Sequence, residues 1–327
     1  MTPGLPREIQ VEVTAACNLR CRMCLVRYRP PENRHVASLA LQKFRRIVDA
    51  LPDLSEVTLQ GLGEPLMAPD LFDMIALARE RSIRVGFNTN GTLLTRATAE
   101  RLVELGLTWL CISIDGATPA TYESIRDGSR LRVVARNVRG LVDVMRERGA
   151  REPALELVFV AMRRNVHEVA DVVRLAADWG VPCVRVQNLS HSFEDAADDG
   201  AYADIRAFTF AEALWSDADA AGPFAEARRV ASERGIDLRL PEHVEAPRAA
   251  DAPGCDWPWR SLYVRHDGKV QPCCMVMGAD RAVLGDAKED GFADIWGGDE
   301  YSRFRDRLMG DDPPDVCRGC SLYRRLF

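Results

Sequence analysis

The sequence predicts an α/β fold, a partial (β/α)6 TIM-like barrel followed by a small cysteine-rich domain. Two observations predict it: strand-like and helix-like segments alternate between residues 8 and 189, and the chain becomes rich in Gly, Pro and Cys after residue 250. Consecutive βα units imply parallel strands joined by right-handed crossovers, with the helices outside. Because six units are two short of a closed eight-stranded barrel, an open doubly wound sheet is the alternative. Either arrangement places a site at the C-terminal ends of the strands.

Each element is predicted from its local pattern of apolar residues, and several helical patterns stop at a Gly, as a helix C-cap often does. The strands are predicted at residues 8–16, 56–61, 84–90, 108–115, 154–162 and 183–189. The helices are predicted at residues 39–51, 70–82, 95–106, 133–149 and 166–180. We divide the chain into a barrel (1–190), a linker with helices and an extra strand (191–250), and a C-terminal domain (251–327).

The alternation stops after the sixth predicted strand. Residues 190–204 carry five acids and no Lys or Arg, which predicts an exposed loop, with a substrate lid as the alternative. Alanine-rich helical sequence follows, and then the short strand-like segment GIDLRLPEH (235–243).

The composition narrows the class of protein. The 327 residues carry 43 Lys and Arg against 49 Asp and Glu, a net charge of −6, which argues against a dedicated nucleic-acid binder. No apolar run is long enough to span a membrane, and the N-terminal sequence is not a secretory signal. We therefore expect a cytoplasmic protein with no nucleic-acid or membrane partner. The ten cysteines are clustered, which favours metal or redox chemistry in a reducing compartment.

The first group of cysteines is Cys17-x-x-x-Cys21-x-x-Cys24, directly after the first predicted strand. Three thiolates this close together can converge on one metal centre. In an iron–sulfur cluster they leave one iron without a protein ligand, and an open position is what substrate-binding chemistry requires. Zinc is the alternative, although a structural zinc site needs a fourth ligand, which this loop lacks.

This motif resembles the signature of the radical S-adenosylmethionine (radical SAM) enzymes. Three further segments resemble that family, each at the end of a predicted strand: GLGEP (61–65), NTNG (88–91) and SIDG (113–116). The resemblance implies that SAM binds a [4Fe–4S] cluster held by the three cysteines. One electron then cleaves SAM to methionine and a 5′-deoxyadenosyl radical, which abstracts a hydrogen atom from an unactivated C–H bond of the substrate.

The resemblance also implies which residues contact SAM. Glu64 takes the ammonium group of the methionine moiety, Arg126 pairs with its carboxylate, and Ser113 meets the ribose. The residue before the third cysteine is usually aromatic in the family. Here it is Met23, whose backbone meets the adenine and whose thioether can pack on it. The full set implied for SAM binding is Met23, Gly63, Glu64, Asn90, Ser113 and Arg126.

A second group of cysteines resembles the auxiliary-cluster domain called SPASM, and more closely its shortened twitch form. Twelve residues separate Cys255 from Gly268, four separate Gly268 from Cys273, and Cys317-Arg-Gly-Cys320 follows. The resemblance implies one auxiliary [4Fe–4S] cluster bound by these four cysteines, and therefore two [4Fe–4S] clusters in the chain. A zinc site with four cysteine ligands is the alternative.

Cys274 follows a predicted cluster ligand. A thiol there can give a hydrogen atom to a substrate radical, which makes Cys274 the candidate catalytic residue; an alternative ligand or a packing residue are the other interpretations. Hydrogen donation yields an epimer, whereas an auxiliary cluster that accepts an electron yields an oxidised product. We therefore expect an oxidoreductase or an epimerase. Asp115 is a candidate base on position alone.

The substrate is predicted by analogy to be a small molecule, such as a sugar or aminocyclitol of a natural-product pathway. Only 16 residues precede Cys17, so a leader-peptide-binding module is not expected. The alternatives are a peptide-modifying maturase with a separate leader-binding partner, and a non-catalytic iron–sulfur electron carrier. A flavodoxin or ferredoxin is expected as electron donor and would dock on a basic face of the protein. The alternative is that this face is exposed to solvent and binds no partner. That face comprises Arg20, Arg22, Arg27, Arg29 and Arg34.

Overall fold

The structure, a computed structural model, describes residues 4–28, 37–197, 200–214, 216–241, 254–276, 278 and 281–326. Within these ranges, ten strands form one sheet. The strands are β1 (Glu8–Val11), β2 (Glu56–Thr58), β3 (Arg84–Thr89), β4 (Trp109–Ser113), β5 (Ala154–Val160), β6 (Cys183–Gln187), β7 (Asp237–Arg239), β8 (Ser261–Val264), β9 (Lys269–Gln271) and β10 (Gly285–Asp286).

The sheet has the order β10-β9-β8-β1-β2-β3-β4-β5-β6-β7. Strands β1 to β7 pair in parallel in chain order, and β8 pairs in parallel with the free edge of β1. Strands β8, β9 and β10 are antiparallel to one another. The predicted partial barrel is confirmed, and the segment after residue 235 supplies β7. The sheet of the described residues is not closed, since β7 and β10 are its two edges.

Helices connect the parallel strands and cover the outside of the sheet. The five predicted helices between the strands are present, together with two short helices, one after the first cysteine loop and one directly before the longest of the five. The helices are α1 (Leu25–Tyr28), α2 (Leu41–Asp49), α3 (Leu71–Glu80), α4 (Arg96–Glu104), α5 (Pro119–Ile125), α6 (Leu131–Glu147), α7 (Val169–Trp179), α8 (Ala203–Glu212), α9 (Asp217–Arg234), α10 (Trp257–Arg260), α11 (Phe292–Gly297), α12 (Asp299–Met309) and α13 (Asp315–Arg318).

The core lies between the sheet and these helices. In β4, Leu110 and Ile112 are completely buried in this core, whereas Cys111 between them lines a cavity on the inner face. This alternation follows from the two-residue period of a strand. Burying a Leu or Ile side chain contributes about 1.5–3 kcal/mol, so the outward face stabilises the fold and leaves the inner face free for polar residues.

The segment after β6 is not the exposed loop that its acids predicted. His191, Phe193 and Tyr202 are buried, and the rings of Phe193 and Tyr202 stack with centroids 5.9 Å apart. The guanidinium of Arg281 lies over both rings and pairs with Asp195. The count of acids was misleading because the few aromatic residues among them determine the packing.

This segment also fastens the C-terminal turn to the barrel. The Ser192 N–H donates to the Gly319 carbonyl (2.8 Å), and the Ser321 N–H donates to the Ser190 carbonyl (3.1 Å). Cys320 is thereby held beside the end of β6. The boundary predicted at residue 250 lies outside the described residues, and the three-part division of the chain stays a prediction.

Across the part of the chain that the structure describes, no helix has the length and apolar character needed to cross a lipid bilayer.

Candidate active site

The three N-terminal cysteines share the loop that leaves the C-terminal end of β1. All three are free thiols; Cys21 is buried, and Cys17 and Cys24 are half-buried. Burial raises the pKa of each thiol, to about 12 for Cys24, and a thiolate at Cys21 would further oppose ionisation of Cys17 and Cys24. Neighbouring thiolates in such a site require a cationic centre to stabilise them. The donor set therefore fits an iron–sulfur cluster.

Contacts from two other parts of the barrel hold this loop. The Arg20 N–H donates to the Asp127 carbonyl (3.0 Å) in the turn after α5. The Asn90 side-chain amide donates to Asn18 Oδ1 (2.9 Å), while Asn90 Oδ1 accepts from the Thr92 N–H (2.9 Å). Asn90 thus ties the end of β3 to the residue after Cys17. Asn18 was not predicted as a site residue, because nothing in its local sequence pattern sets it apart.

The predicted basic face is only partly present among the described residues. Arg20 and Arg22 are exposed, whereas Arg27 forms an ion pair with Asp127 (3.0 Å). Arg29 and Arg34 lie outside the described residues.

The GLGEP segment packs directly on the residues that lead into Cys17. The Glu64 N–H donates to the Ala16 carbonyl at 2.7 Å. A Cβ on Gly63 would lie 2.3 Å from the Thr14 carbonyl oxygen and 2.5 Å from that of Ala16. Because both atoms belong to backbone, only Gly permits this approach. Gly63 therefore sets how closely the end of β2 meets the cysteine loop.

The Glu64 carboxylate is fixed between the ends of β2 and β3. It is 3% exposed, and it accepts hydrogen bonds from the Thr89 hydroxyl (2.7 Å) and the Asn90 N–H (2.8 Å). Burial raises the pKa of Glu64, whereas these hydrogen bonds and the charge of Arg126 lower it. The charge of Glu64 also raises the pKa of Cys17, and the charge of Arg126 lowers it. Glu64, Arg126 and Cys17 are therefore electrostatically coupled in one site.

Arg126 already has a carboxylate partner within the protein. Its Nε donates to Asp115 Oδ2 (2.6 Å), and its Nη1 lies 4.0 Å from Cys21 Sγ. Asp115 is completely buried, and its other oxygen accepts from the Val160 N–H (2.9 Å). Asp115 therefore holds the guanidinium beside the cysteine loop. Since both carboxylate oxygens are engaged, the geometry does not favour Asp115 as a base.

We expect Arg126→Leu to lower the free energy of unfolding by about 3–5 kcal/mol, because it leaves the Asp115 charge buried without a partner. Urea unfolding followed by circular dichroism measures the change, and the double variant with Asp115→Asn should recover part of the loss. Arg96→Ala is the matched control, since it removes ion pairs with Glu100 and Glu147 whose members are all at least 40% exposed and should leave the unfolding curve unchanged. Wild-type stability of Arg126→Leu would contradict this assignment.

All six predicted SAM residues lie on the C-terminal side of the sheet. Met23 is half-buried in the turn before α1, and Ser113, also half-buried, is the last residue of β4. The structure therefore brings the predicted set to one edge of the sheet, as the parallel topology requires. Their individual contacts with SAM stay predictions.

The C-terminal cysteines meet in one apolar cluster. Burial raises the pKa of Cys273, and the charges of Cys274, Cys320, Cys317 and Cys255 would raise it further. The four predicted ligands and Cys274 all belong to or pack against this one cluster, and this donor set also fits an iron–sulfur cluster. Among the residues with described positions, no three His, Cys, Asp or Glu side chains converge as a single metal ion requires. The apolar part of the cluster consists of Met275, Val276, Phe304, Leu308, Val316 and Tyr323.

A cavity of about 940 Å³ runs along the inner face of the sheet, and its lining includes the first residues of β2, β3, β5 and β6. Ala15 and Leu25, which flank the first cysteine loop, line it, as does Cys274 of the C-terminal group. The inner face of the sheet supplies its polar wall. That wall includes Gln10, Glu12, Asn88, Cys111, Glu156 and Arg185.

A parallel α/β sheet with a three-cysteine loop at the end of β1, followed by a cysteine-rich domain, defines a radical SAM iron–sulfur enzyme. Family models agree: residues 11–176 match the Radical SAM superfamily, and residues 255–321 match SPASM, an iron–sulfur cluster-binding domain. The chain belongs to the radical SAM superfamily, and its cofactors are SAM and [4Fe–4S] clusters.

Relatives of known name match almost the whole chain. The chain is 26% identical over 331 residues to the tungsten-containing aldehyde ferredoxin oxidoreductase cofactor-modifying protein of Pyrococcus furiosus, covering 97% of this chain and 87% of the relative. It is 27% identical over 334 residues to an AdoMet-dependent heme synthase of Methanosarcina barkeri (96% and 91% covered). It is 24% identical over 330 residues to the PqqA peptide cyclase of Gluconobacter oxydans (99% and 85%).

Among solved structures, Streptococcus suis SuiB bound to its precursor peptide SuiA is similar, with a TM-score of 0.72 and 16% identity. The match covers 98% of this chain and 70% of SuiB. This likeness concerns the fold.

Proposed function

We propose that this chain is a radical SAM maturase that modifies a peptide in the cavity on the inner face of its sheet. The cavity carries the proposal, since its lining includes Ala15 and Leu25, which flank the loop of Cys17 and Cys24, and Cys274 of the C-terminal group. Bound SAM supplies a 5′-deoxyadenosyl radical, which abstracts a hydrogen atom from the substrate. The chain itself orients the C–H bond and excludes water from the cavity.

The cysteines divide into two ligand sets. Cys17, Cys21 and Cys24 would hold the cluster that takes SAM, because a loop with three cysteines supplies one ligand fewer than a fully protein-bound [4Fe–4S] cluster needs. The auxiliary iron–sulfur cluster is bound by Cys255, Cys273, Cys317 and Cys320. These four cysteines lie together among the apolar residues of the C-terminal domain.

The residues around the first cysteine loop position SAM. Glu64 takes the ammonium group, Gly63 allows the backbone to come close, and Arg126, held by Asp115, takes the carboxylate. Asn90 and Ser113 flank the nucleoside, and the Met23 backbone meets the adenine.

Two observations support a peptide over the sugar expected from the sequence. PqqA peptide cyclase matches 99% of the chain, and SuiB, whose fold is similar, was solved with a precursor peptide bound.

Anaerobic co-expression with any short peptide that a gene neighbouring the one for this chain encodes tests the proposal. Mass spectrometry should show one of these peptides with an altered mass, and the alteration should disappear with Cys17→Ala. Purified enzyme is then offered an aminocyclitol and an iron tetrapyrrole, the latter because a heme synthase is among the relatives. Conversion of either compound, with every peptide unchanged, would contradict the proposal.

A further inference from the structure

We propose that His266, oriented by Glu12, accepts the proton that the substrate loses when its radical is oxidised. This inference rests on the proposed function and adds to it, because neither residue belongs to the cysteine groups or to the segments assigned to SAM. It also decides between the two expected reaction classes, since an oxidation requires a proton acceptor and hydrogen donation from a thiol does not.

The two residues lie where barrel-type sites are found. Glu12 follows β1 and His266 follows β8, and these strands are adjacent and parallel, with Val11 opposite Val264. Side chains at the C-terminal ends of neighbouring parallel strands face a common site. Both residues line the cavity, and only 4% of the Glu12 side chain and 11% of the His266 side chain are exposed.

Three contacts fix the Glu12 carboxylate. Its Oε1 accepts from the Leu62 N–H (3.1 Å), and the hydroxyl of Tyr263 also bonds to the carboxylate. Its Oε2 lies 2.6 Å from His266 Nδ1. A Cβ on Gly61 would lie 2.2 Å from Glu12 Cγ, so the absence of a side chain at Gly61 makes room for this conformation.

The pairing determines which ring nitrogen of His266 can accept a proton. An ionised carboxylate only accepts hydrogen bonds, so the proton between Glu12 and His266 resides on Nδ1. In the neutral imidazole Nε2 then carries the lone pair, and no side chain or backbone group of the described residues hydrogen-bonds to Nε2. A carboxylate that sets the tautomer of an imidazole is the arrangement of a general base.

Hydrogen abstraction leaves an unpaired electron on a substrate carbon whose neighbour X, oxygen or nitrogen, carries a proton. The X–H bond breaks, its proton goes to His266 Nε2, and a second C–X bond forms. The remaining electron goes to an oxidised iron–sulfur cluster of the C-terminal domain. The substrate is oxidised by two electrons in total, and the imidazole becomes imidazolium.

The first test reads the tautomer and needs no substrate. In oxidised holoenzyme labelled with ¹⁵N-histidine, long-range ¹H–¹⁵N spectra should show His266 protonated at Nδ1 and unprotonated at Nε2. His266→Gln assigns the signal, and Glu12→Gln should abolish the preference for this tautomer. A wild-type His266 protonated at Nε2 alone would overturn the proposal.

The second test uses the peptide that the wild-type enzyme converts. His266→Gln should form 5′-deoxyadenosine within about threefold of wild type, while the oxidised peptide falls at least about 100-fold, the lower range of general-base effects. His167→Gln is the matched control, because this histidine also neighbours a carboxylate, Glu168 (3.9 Å), but its side chain is 64% exposed and lies outside the cavity lining.

Unchanged peptide oxidation in His266→Gln would overturn the proposal, as would a parallel fall of 5′-deoxyadenosine and product. If the wild-type enzyme converts no peptide, the proposed function fails, and the tautomer measurement still decides whether Glu12 orients His266.

Discussion

Replacing Cys17, Cys21 and Cys24 together by Ala should abolish 5′-deoxyadenosine formation and halve the bound iron, from about eight to about four atoms per chain. The three thiols share the loop after β1, and no other described cysteine lies on that loop. Without them SAM has no iron to bind. Iron and acid-labile sulfide are counted after anaerobic reconstitution, and 5′-deoxyadenosine is measured with excess dithionite.

Two variants make this result specific. Cys111→Ala with Cys183→Ala removes two thiols of the barrel outside both groups and should leave about eight irons. Cys317→Ala with Cys320→Ala should remove the other half of the iron and keep a basal cleavage of SAM. Wild type holding about four irons, with about none in the triple variant, would contradict an auxiliary cluster.

Gly63→Ala should weaken SAM binding at least about tenfold, a loss of about 1.4 kcal/mol or more. The added Cβ meets the carbonyl oxygens of Thr14 and Ala16 at 2.3 and 2.5 Å, and neither atom can move as the end of a flexible side chain would. The segment must therefore shift away from the cysteine loop and take Glu64 with it. Overpacking of this kind also costs about 1–3 kcal/mol of stability. Equilibrium dialysis with oxidised holoenzyme measures the affinity, and thermal unfolding measures the stability.

Gly140→Ala is the matched control for this substitution. Gly140 lies inside α6, and a Cβ there would meet nothing within 4 Å. Its SAM affinity should equal that of wild type, with a stability equal or higher by up to about 1 kcal/mol. Gly63→Ala with wild-type SAM affinity would contradict the role given to the GLGEP segment.

Local patterns were sufficient to predict the repeating part of the fold. The apolar periodicity of residues 133–149 and 166–180 marks helices that the structure has at Leu131–Glu147 and Val169–Trp179. The first strand is shorter in the structure than the sequence predicts. It ends at Val11 because the chain then leaves the sheet, and Thr14 pairs instead with Ser38.

Contacts between distant parts of the chain could not be predicted in this way. Strand β8 pairs with β1 across more than two hundred residues of sequence, and no local pattern reports a partner at that distance. The same pairing brings His266 to Glu12. Neither residue was predicted as a site residue, because no local sequence pattern links the two. The cysteine groups were found because their spacing is itself local.

The substrate was the weakest part of the sequence prediction. The sugar rested on family-level analogy, whereas full-length similarity to a peptide cyclase supports the peptide alternative. Cavity shape depends on packing such as that of Phe193 and Tyr202 beside Leu25, in a segment predicted to be an exposed loop or a substrate lid.

A peptide with deuterium at its carbon-bound positions tests the central claim most directly, because a radical SAM maturase must take a hydrogen atom from its substrate. Anaerobic turnover of this peptide, followed by mass spectrometry of the nucleoside, should give 5′-deoxyadenosine that carries one deuterium for each modified peptide. Modified peptide accompanied by 5′-deoxyadenosine without deuterium would contradict the account.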